Sequence, residues 1–144
     1  MKLKGIQIVT FEQIEFGKLI GLDLAGLSVG VAAARIQDEI SKRFWGETEL
    51  GSPSEKQIEL ARKFGFDIVE QGRRVGSAII DDIMYHLNME AIQSEKLVPG
   101  VKVRRKGEHK EEYVISSIRE DGTVFFKGGN GKKAWSRNLE RVST

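Results

Sequence analysis

Two adjacent arginines and a nearby serine, Arg73, Arg74 and Ser77, stand where the stretch GRRVGSAII opens a predicted helix. Free backbone N–H groups and the positive end of the helix dipole attract phosphate at such a position. A guanidinium group strengthens this attraction because it can bind phosphate through two hydrogen bonds. The pattern therefore predicts a phosphate contact. The alternative is that the arginines are solvated or pair with Glu70 and Asp67.

A second group of cations lies in the last third of the chain. Residues 97–144 carry 11 Lys/Arg and 6 Asp/Glu, whereas residues 1–96 carry 12 and 15. This imbalance favours a phosphate-rich partner and is equally typical of a plain solvated surface. The residues predicted to follow a phosphate backbone are Lys102, Arg104, Lys127, Lys132, Lys133 and Arg137.

Aromatic residues accompany these cations, and Tyr113, Phe126 and Trp135 are predicted to form an exposed patch. Phe125 and Phe126 are neighbours on one predicted strand, so their rings face opposite sides and only one should enter the core. The alternative is that most of these rings belong to the core of the C-terminal module.

No group of side chains indicates catalysis. His86 and His109 lack metal-ligand spacing, and the chain contains no cysteine. Asp81 and Asp82 are helix neighbours and point apart, while the equivalent placement of Asp38 and Asp82 predicts a structural role such as an ion pair between segments. The stretch GGNGKK lacks the leading glycine and the Ser/Thr of a phosphate loop. We therefore predict no enzyme, no metal and no cofactor.

An internal repeat organises the elements that must position these residues. When residues 12–38 are aligned without a gap on residues 56–82, nine positions are identical. Numbered in the first copy, they are Gln13, Ile14, Glu15, Gly21, Asp23, Val31, Ala34, Ile36 and Asp38. Each copy predicts a helix, an extended stretch and a second helix. One copy alone is too small to bury a core, so the two are expected to pack together.

Start and stop signals set the bounds of the predicted helices. A Thr-x-x-Gln beginning at Thr10 and a Ser-x-x-Gln beginning at Ser54 both fit a capping box. Gly21 and Gly65 then end the first helix of each copy. In the second copy the second helix is expected to end near Leu87.

The second copy resembles the SAP/LEM-like helix–extended-loop–helix family through KQIELARKFGF and the following GRRVGSAIIDDI. The resemblance implies binding to nucleic acid, usually duplex DNA, through the start of the second helix, where Arg73 and Arg74 stand. The first copy has Val29 and Gly30 at the equivalent positions. Only the second copy is therefore expected to contact phosphate.

Residues 99–144 change to short alternating segments separated by turns such as EDG and GGNG. With its opening PGVKV and closing RNLERV, this part resembles an SH3-like small barrel of the Tudor/KOW kind. The resemblance implies binding of nucleic acid or peptides through loops and an aromatic patch. Strands are predicted at 101–105, 112–118, 123–127, 132–136 and 139–142.

The predicted fold class is α+β, with an N-terminal helical domain of two duplicated helix–loop–helix units and a C-terminal five-stranded small β-barrel. Two linkers and an N-terminal strand or arm complete the organisation. The predicted segments are 1–9 (arm), 10–44 (repeat 1), 45–53 (linker), 54–88 (repeat 2), 89–98 (linker) and 99–144 (barrel).

The predicted function is non-catalytic binding of nucleic acid through the phosphate backbone, by repeat 2 and the basic barrel, with DNA favoured over RNA and the choice left open. The alternative is a small accessory or inhibitor protein, of phage or bacterial defence, that docks on a larger nucleic-acid enzyme. The apolar LAGLSVGVAAA of the first copy would also suit a homodimer seam. The chain has no cysteine and no apolar run of membrane-spanning length, so we expect a cytoplasmic protein without a membrane partner.

Overall fold

The computed structural model describes residues 3–46, 49–108, 110–128 and 131–142 of the 144-residue chain. It divides into two compact units, Met1–Ile83 and Met84–Thr144. The helices are α1 (Phe11–Leu19), α2 (Val29–Trp45), α3 (Glu55–Lys63) and α4 (Arg73–Ser94), and α4 contributes to both units. The strands are β1 (Lys102–Arg105), β2 (Tyr113–Ile118), β3 (Thr123–Phe126), β4 (Lys133–Trp135) and β5 (Leu139–Arg141).

Reciprocal hydrogen bonds begin the short helices of the first unit. Thr10 Oγ1 accepts from the Gln13 N–H at 3.1 Å, and Gln13 Oε1 accepts from the Thr10 N–H at 3.0 Å. Ser54 and Gln57 make the same two bonds at α3, at 3.2 and 2.9 Å. Each pair satisfies two backbone donors that a helix start leaves free. Both predicted capping boxes are confirmed.

Glycines end α1 and α3, as predicted. Gly21 and Gly65 have φ angles of 80° and 83°, in the left-handed region that glycine adopts without strain. The chain then turns so that Leu24 and Ile68, each three residues further on, are almost completely buried. These residues carry the extended stretches back into the core of the first unit.

The core of the first unit lies where α2 meets the first half of α4. Val31 and Ala34 of α2 pack with Val75 of α4. Such small side chains let two helices approach closely. The arm before α1 makes one β-bridge, between Ile8 and Ser28. Within the described part of the arm, a longer strand is not formed.

The predicted end of the last helix, Leu87, is wrong, because α4 continues to Ser94. No glycine or proline interrupts residues 77–98, so nothing in the backbone stops the helix at the expected position. Residues 89–94 of the predicted linker are therefore helical. Although α4 is 22 residues long, no helix in the described ranges is long and apolar enough to cross a membrane.

The second unit contains a five-stranded antiparallel sheet with the order β4-β3-β2-β1-β5. Strands β1 to β4 pair consecutively, and β5 returns to pair with β1, where Val103 lies opposite Arg141. The sheet is not closed, since β4 and β5 form its two edges. All five strands fall within the segments predicted for them.

A single apolar cluster lies against this sheet and includes Leu97 from the segment after α4. Asn88, on the second half of α4, is only 2% exposed. Its Nδ2 donates to the Asp121 carbonyl at 3.1 Å, and its Oδ1 accepts from the Arg137 N–H at 3.1 Å. This pair of bonds satisfies a buried amide and joins α4 to two turns of the sheet.

Candidate nucleic-acid interface

Arg73, Arg74 and Ser77 line one open groove of about 940 Å³ in the first unit. The groove lies along α2 and the start of α4, and we call it the α2–α4 groove. Its floor is made of small residues, and Glu49 and Asp81 place negative charge at its margins. The remaining lining residues are Gly30, Ala33, Ala34, Gln37, Leu50, Gly51 and Ala78.

The two arginines of this groove have different surroundings. Arg74 Nη1 lies 2.5 Å from Asp38 Oδ1, and Asp38 is buried. The predicted alternative partners, Glu70 and Asp67, are not the ones used. No side-chain hydrogen bond or ion pair holds the Arg73 guanidinium among the described residues, and its backbone N–H donates to the Leu50 carbonyl at 2.9 Å. Arg73 is therefore the available cation of the pair.

A second carboxylate makes the reciprocal contact between the same helices. Asp82 Oδ2 on α4 accepts from Ser28 Oγ at 2.5 Å, and Ser28 is the residue that caps α2. Burial raises the pKa of Asp82, while the Ser28 bond opposes that rise. The predicted inter-segment ion pair is thus present for Asp38, whereas Asp82 uses a hydroxyl partner instead.

Two of the predicted cations in the sheet are held by carboxylates. Arg104 Nε lies 2.8 Å from Glu140 Oε1, and Lys102 Nζ lies 3.9 Å from Glu112 Oε1. Both residues sit on the face of β1 opposite the buried Val103. Because their charge is already balanced, they add little to a phosphate-binding surface.

The predicted aromatic patch requires a correction. Phe126 is 6% exposed and belongs to the core of the second unit, and Tyr113 stacks on it with 4.4 Å between ring centroids. Phe125, which directly precedes Phe126 on β3, has the ring that faces outward. Because side chains alternate along a strand, the sequence predicted that the Phe125 and Phe126 rings point to opposite sides of β3. The pairing of β3 with β2 determines which of the two rings lies inside. Phe126 is therefore not part of an exposed patch.

Trp135 lies on the same outward face as Phe125. Phe125 is directly opposite Lys133, and Trp135 is two residues further along β4, at the diagonal position. Arg119 Cζ lies 5.1 Å from the Phe125 ring centre, and Arg137 Cζ lies 5.0 Å from the Trp135 ring centre. We call these five residues, Arg119, Phe125, Lys133, Trp135 and Arg137, the aromatic–basic face.

A groove of about 410 Å³ runs beside this face. Its lining includes four residues of the face, Arg119, Phe125, Lys133 and Trp135, and one further arginine, Arg105. Asp121 is its one acidic lining residue, and the Thr123 N–H bond lowers the pKa of that carboxyl. Arg105 Nε lies 3.8 Å from Glu108 Oε2. Arg119 and Lys133 have no ion pair among the described residues, so these two cations and Asp121 leave a positive charge in this groove at neutral pH.

Two arginines of this region were missed at the sequence level. Arg119 follows Ser117 with a spacing of two, which places it on the face that pairs with Phe125. Arg105 lies two residues after the buried Val103 and therefore on the same side of β1, where an apolar residue is expected. An arginine at such a position was the signal that the sequence offered for it. Its guanidinium covers the stacked Tyr113 and Phe126 rings, 5.6 and 5.8 Å from their centres.

The remaining predicted cations, Lys127, Lys132 and Arg137, have different surroundings. Lys132 Nζ lies 5.9 Å from the Tyr113 ring centre, and Lys127 is exposed after β3. Arg137 is half-buried, and burial lowers the pKa of its guanidinium. The group remains charged at neutral pH because the ordinary pKa of arginine lies far above neutrality. Its Nη1 donates to Asn88 Oδ1 at 3.3 Å, which orients it over Trp135.

The histidines and carboxylates of the described residues do not form a metal site. His86 is buried in the second half of α4, with Nε2 3.7 Å from Glu90 Oε1, and His109 lies outside the described residues, as do Gly129 and Asn130 of the GGNG turn. Across the described ranges, no three His, Asp or Glu side chains come together in a way that could hold a metal ion.

The fold and this face together define an α+β chain with a helical first unit and a cationic, aromatic sheet in the second. No protein-family model matches the chain, and comparisons with curated proteins and with solved structures give no match.

Proposed function

We propose that the chain binds nucleic acid through the aromatic–basic face of its second unit. The observation that carries the proposal is the pair of adjacent arginine–aromatic stacks, Arg119 on Phe125 and Arg137 on Trp135, with Lys133 between them. Cations attract phosphate, and flat aromatic and guanidinium groups stack on unpaired bases. One surface thus supplies both kinds of contact.

A single strand is the better ligand for this face than a duplex. Base faces are hidden in a duplex, so an aromatic ring on a sheet surface reaches them only when bases are splayed apart. Trp135 is 41% exposed and is therefore partly open to such stacking. We expect DNA and RNA single strands both to bind, because the contacts involve backbone phosphate and base faces.

Arg73 provides a second phosphate contact in this proposal, whereas Arg74 is held by Asp38. The proposal keeps non-catalytic binding in the cytoplasm as the setting, as the cysteine-free composition suggested. It also keeps the duplication of the first unit. Support comes from matched contacts 44 residues apart: Asp23 Oδ1 accepts from the Ala25 N–H and Asp67 Oδ1 from the Val69 N–H, both at 3.1 Å.

The SH3-like barrel also remains our proposal for the second unit. Its support is the return of β5 to β1 after a four-strand meander, which is the pairing that such a small barrel needs. The edges β4 and β5 are not paired with each other. The resemblance to an SH3-like barrel therefore concerns the order of the strands and not the closure of the sheet.

Fluorescence anisotropy with labelled single-stranded DNA, single-stranded RNA and duplex DNA, each over a salt series, tests the function. Trp135→Ala should weaken single-strand binding by about 1–3 kcal/mol, since this is the usual value of one base–aromatic stack. Lys133→Ala should reduce the slope of log Kobs against log salt by about 0.7, the value for one phosphate contact on a single strand.

Trp45→Ala is the matched control, because Trp45 is an exposed tryptophan of the first unit, 76% accessible. It should leave affinity unchanged. The proposal fails if no strand binds at low salt, or if the Trp45 and Trp135 variants bind equally well.

A second candidate function, docking on another protein, is favoured by exposed apolar side chains in the first unit. Phe44 and Trp45 end α2 with exposures of 73% and 76%, and Phe16 and Leu19 are exposed on α1. Arg43 Nη2 donates to the Ile20 carbonyl at 2.6 Å, which brings the two helix ends together. Such a cluster is typical of an interaction surface, for a second copy or a nucleic-acid enzyme.

A further inference from the structure

The first unit contains a separate groove of about 440 Å³ with a mainly apolar lining. It lies between the N-terminal arm, α2, the segment after α3, and α4, and we call it the arm groove. Its size falls within the range of small-molecule sites. Its apolar lining residues are Leu3, Ile6, Ile8, Leu27, Val31, Phe66 and Ile79.

Among the described residues, Arg35 is the one cation that lines the arm groove. Its Nε is buried and has no hydrogen-bond partner among the described residues. No described carboxylate lies within ion-pair distance of Arg35, in contrast to Arg43, held by Glu39, and Arg74, held by Asp38. Arg35 as a whole is partly exposed, but a buried guanidinium N–H is normally hydrogen-bonded, so this N–H lacks the partner that its position calls for.

The two carboxyl groups of the arm groove already have donors. Asp67 Oδ1 accepts from the Val69 N–H, and Asp82 Oδ2 accepts from Ser28 Oγ. Burial also raises the pKa of Asp82 above its usual value, while the Ser28 hydrogen bond opposes that rise. Neither group forms an ion pair with Arg35 among the described residues, so the buried Nε–H of Arg35 stays without a partner beside an apolar surface.

We propose that the arm groove binds a small amphipathic carboxylic acid, whose carboxylate pairs with Arg35 and whose hydrocarbon body lies on the apolar lining. A planar guanidinium accepts a carboxylate in a two-bonded geometry that matches its fork of N–H donors. The hydrocarbon body removes apolar surface of the groove from water. This site lies in the first unit and is independent of the nucleic-acid proposal.

Titration calorimetry of the full chain with octanoate and with octanol tests the site. The two probes share one hydrocarbon body and differ in the charged head. Octanoate should bind roughly tenfold or more tightly, since hydrogen bonds to charged groups are stronger than neutral ones. Amide chemical shifts should change at Leu27 and Val31 of the groove and leave the sheet of the second unit unaffected.

Substitutions at Arg35 then assign the charge. Arg35→Met keeps an apolar stem and should lower octanoate affinity to that of octanol without changing octanol binding. Arg35→Lys keeps the charge without the fork and should fall between the two. Arg62→Met, at an exposed arginine of α3, is the matched control and should change nothing.

Four outcomes would overturn the proposal. They are octanol binding as tight as octanoate binding in the unaltered protein, shifts outside the arm groove, full octanoate affinity in Arg35→Met, and no binding of octanoate at millimolar concentration. The first, second and fourth need no variant, so the test stands even if Arg35→Met does not fold.

Discussion

Individual arginines in this chain differ more in their partners than in their sequence surroundings. Arg73 and Arg74 are adjacent, yet one is available and the other is paired with a buried carboxylate. The pairing joins residues 36 positions apart, so only the packing of α2 against α4 reveals it. A substitution of both arginines together would therefore mix a binding effect with a stability effect.

Separate substitutions distinguish these two effects. Arg74→Ala leaves the buried carboxylate of Asp38 without its partner and should lower the free energy of unfolding by about 1–3 kcal/mol. Arg73→Ala removes no observed side-chain partner and should stay within about 0.5 kcal/mol of the parent. Urea denaturation followed by circular dichroism measures both. Equal losses for the two variants would show that the Asp38 pair does not stabilise the fold.

At the scale of elements, the segments that begin with α1 and α3 differ at a packed position of the sequence alignment. Gly17 on α1 and Ala61 on α3 are equivalent and both buried. A Cβ added at Gly17 would lie 2.6 Å from Leu24 Cδ1, so the glycine makes room for that leucine. The second pair combines alanine with Ile68 at the equivalent site.

This difference predicts a compensating double substitution. Gly17→Ala alone should destabilise the protein, because overpacking costs about 1–3 kcal/mol against a helix-propensity gain of about 1 kcal/mol. Gly17→Ala with Leu24→Ile recreates the Ala61 and Ile68 combination. The coupling between the two changes should be favourable by about 0.5–3 kcal/mol. Thermal unfolding of both singles and the double measures it, and simple additivity would contradict the structural equivalence.

Local signals predicted most elements, whereas contacts between elements were not accessible from the sequence. The caps at Thr10 and Ser54 and the glycine stops depend on neighbouring residues, so they could be predicted. The lack of glycine and proline over residues 77–98 was a local signal for a longer α4, whereas no local pattern shows that Asn88 and Leu97 are buried in the second unit. The identity of the inward ring, Phe126, depends on strand pairing. Arg119 of the aromatic–basic face was missed for the same reason, because its place beside Phe125 depends on the pairing of β2 with β3.

At the scale of the whole molecule, charge and apolar surface are distributed differently along the chain. The basic excess lies in residues 97–144, and the exposed apolar side chains Phe16, Leu19, Phe44 and Trp45 lie in the first unit. This distribution is consistent with one chain using its second unit for nucleic acid and its first unit for a protein.

Molecular mass in solution tests whether a second copy covers that apolar surface. Phe44→Ser with Trp45→Ser should abolish a concentration-dependent dimer, because it removes the largest exposed rings of the cluster. Val98→Ser, at an exposed apolar residue of the second unit, is the control and should leave the dimer intact. Sedimentation equilibrium measures the masses. A monomer at every concentration of the unaltered chain would rule out the second copy as the occupant.

The open edge of the sheet has a consequence for colloidal behaviour. β4 presents unpaired backbone groups on one side, and such edges recruit strands from other molecules unless they are short or charged. β4 has three residues and begins at Lys133, directly after Lys132. The lysines that we propose as phosphate contacts are thus also expected to act as gatekeepers against fibril growth. Replacing Lys132 and Lys133 with apolar residues is expected to weaken binding of the proposed ligand and to promote aggregation through this edge.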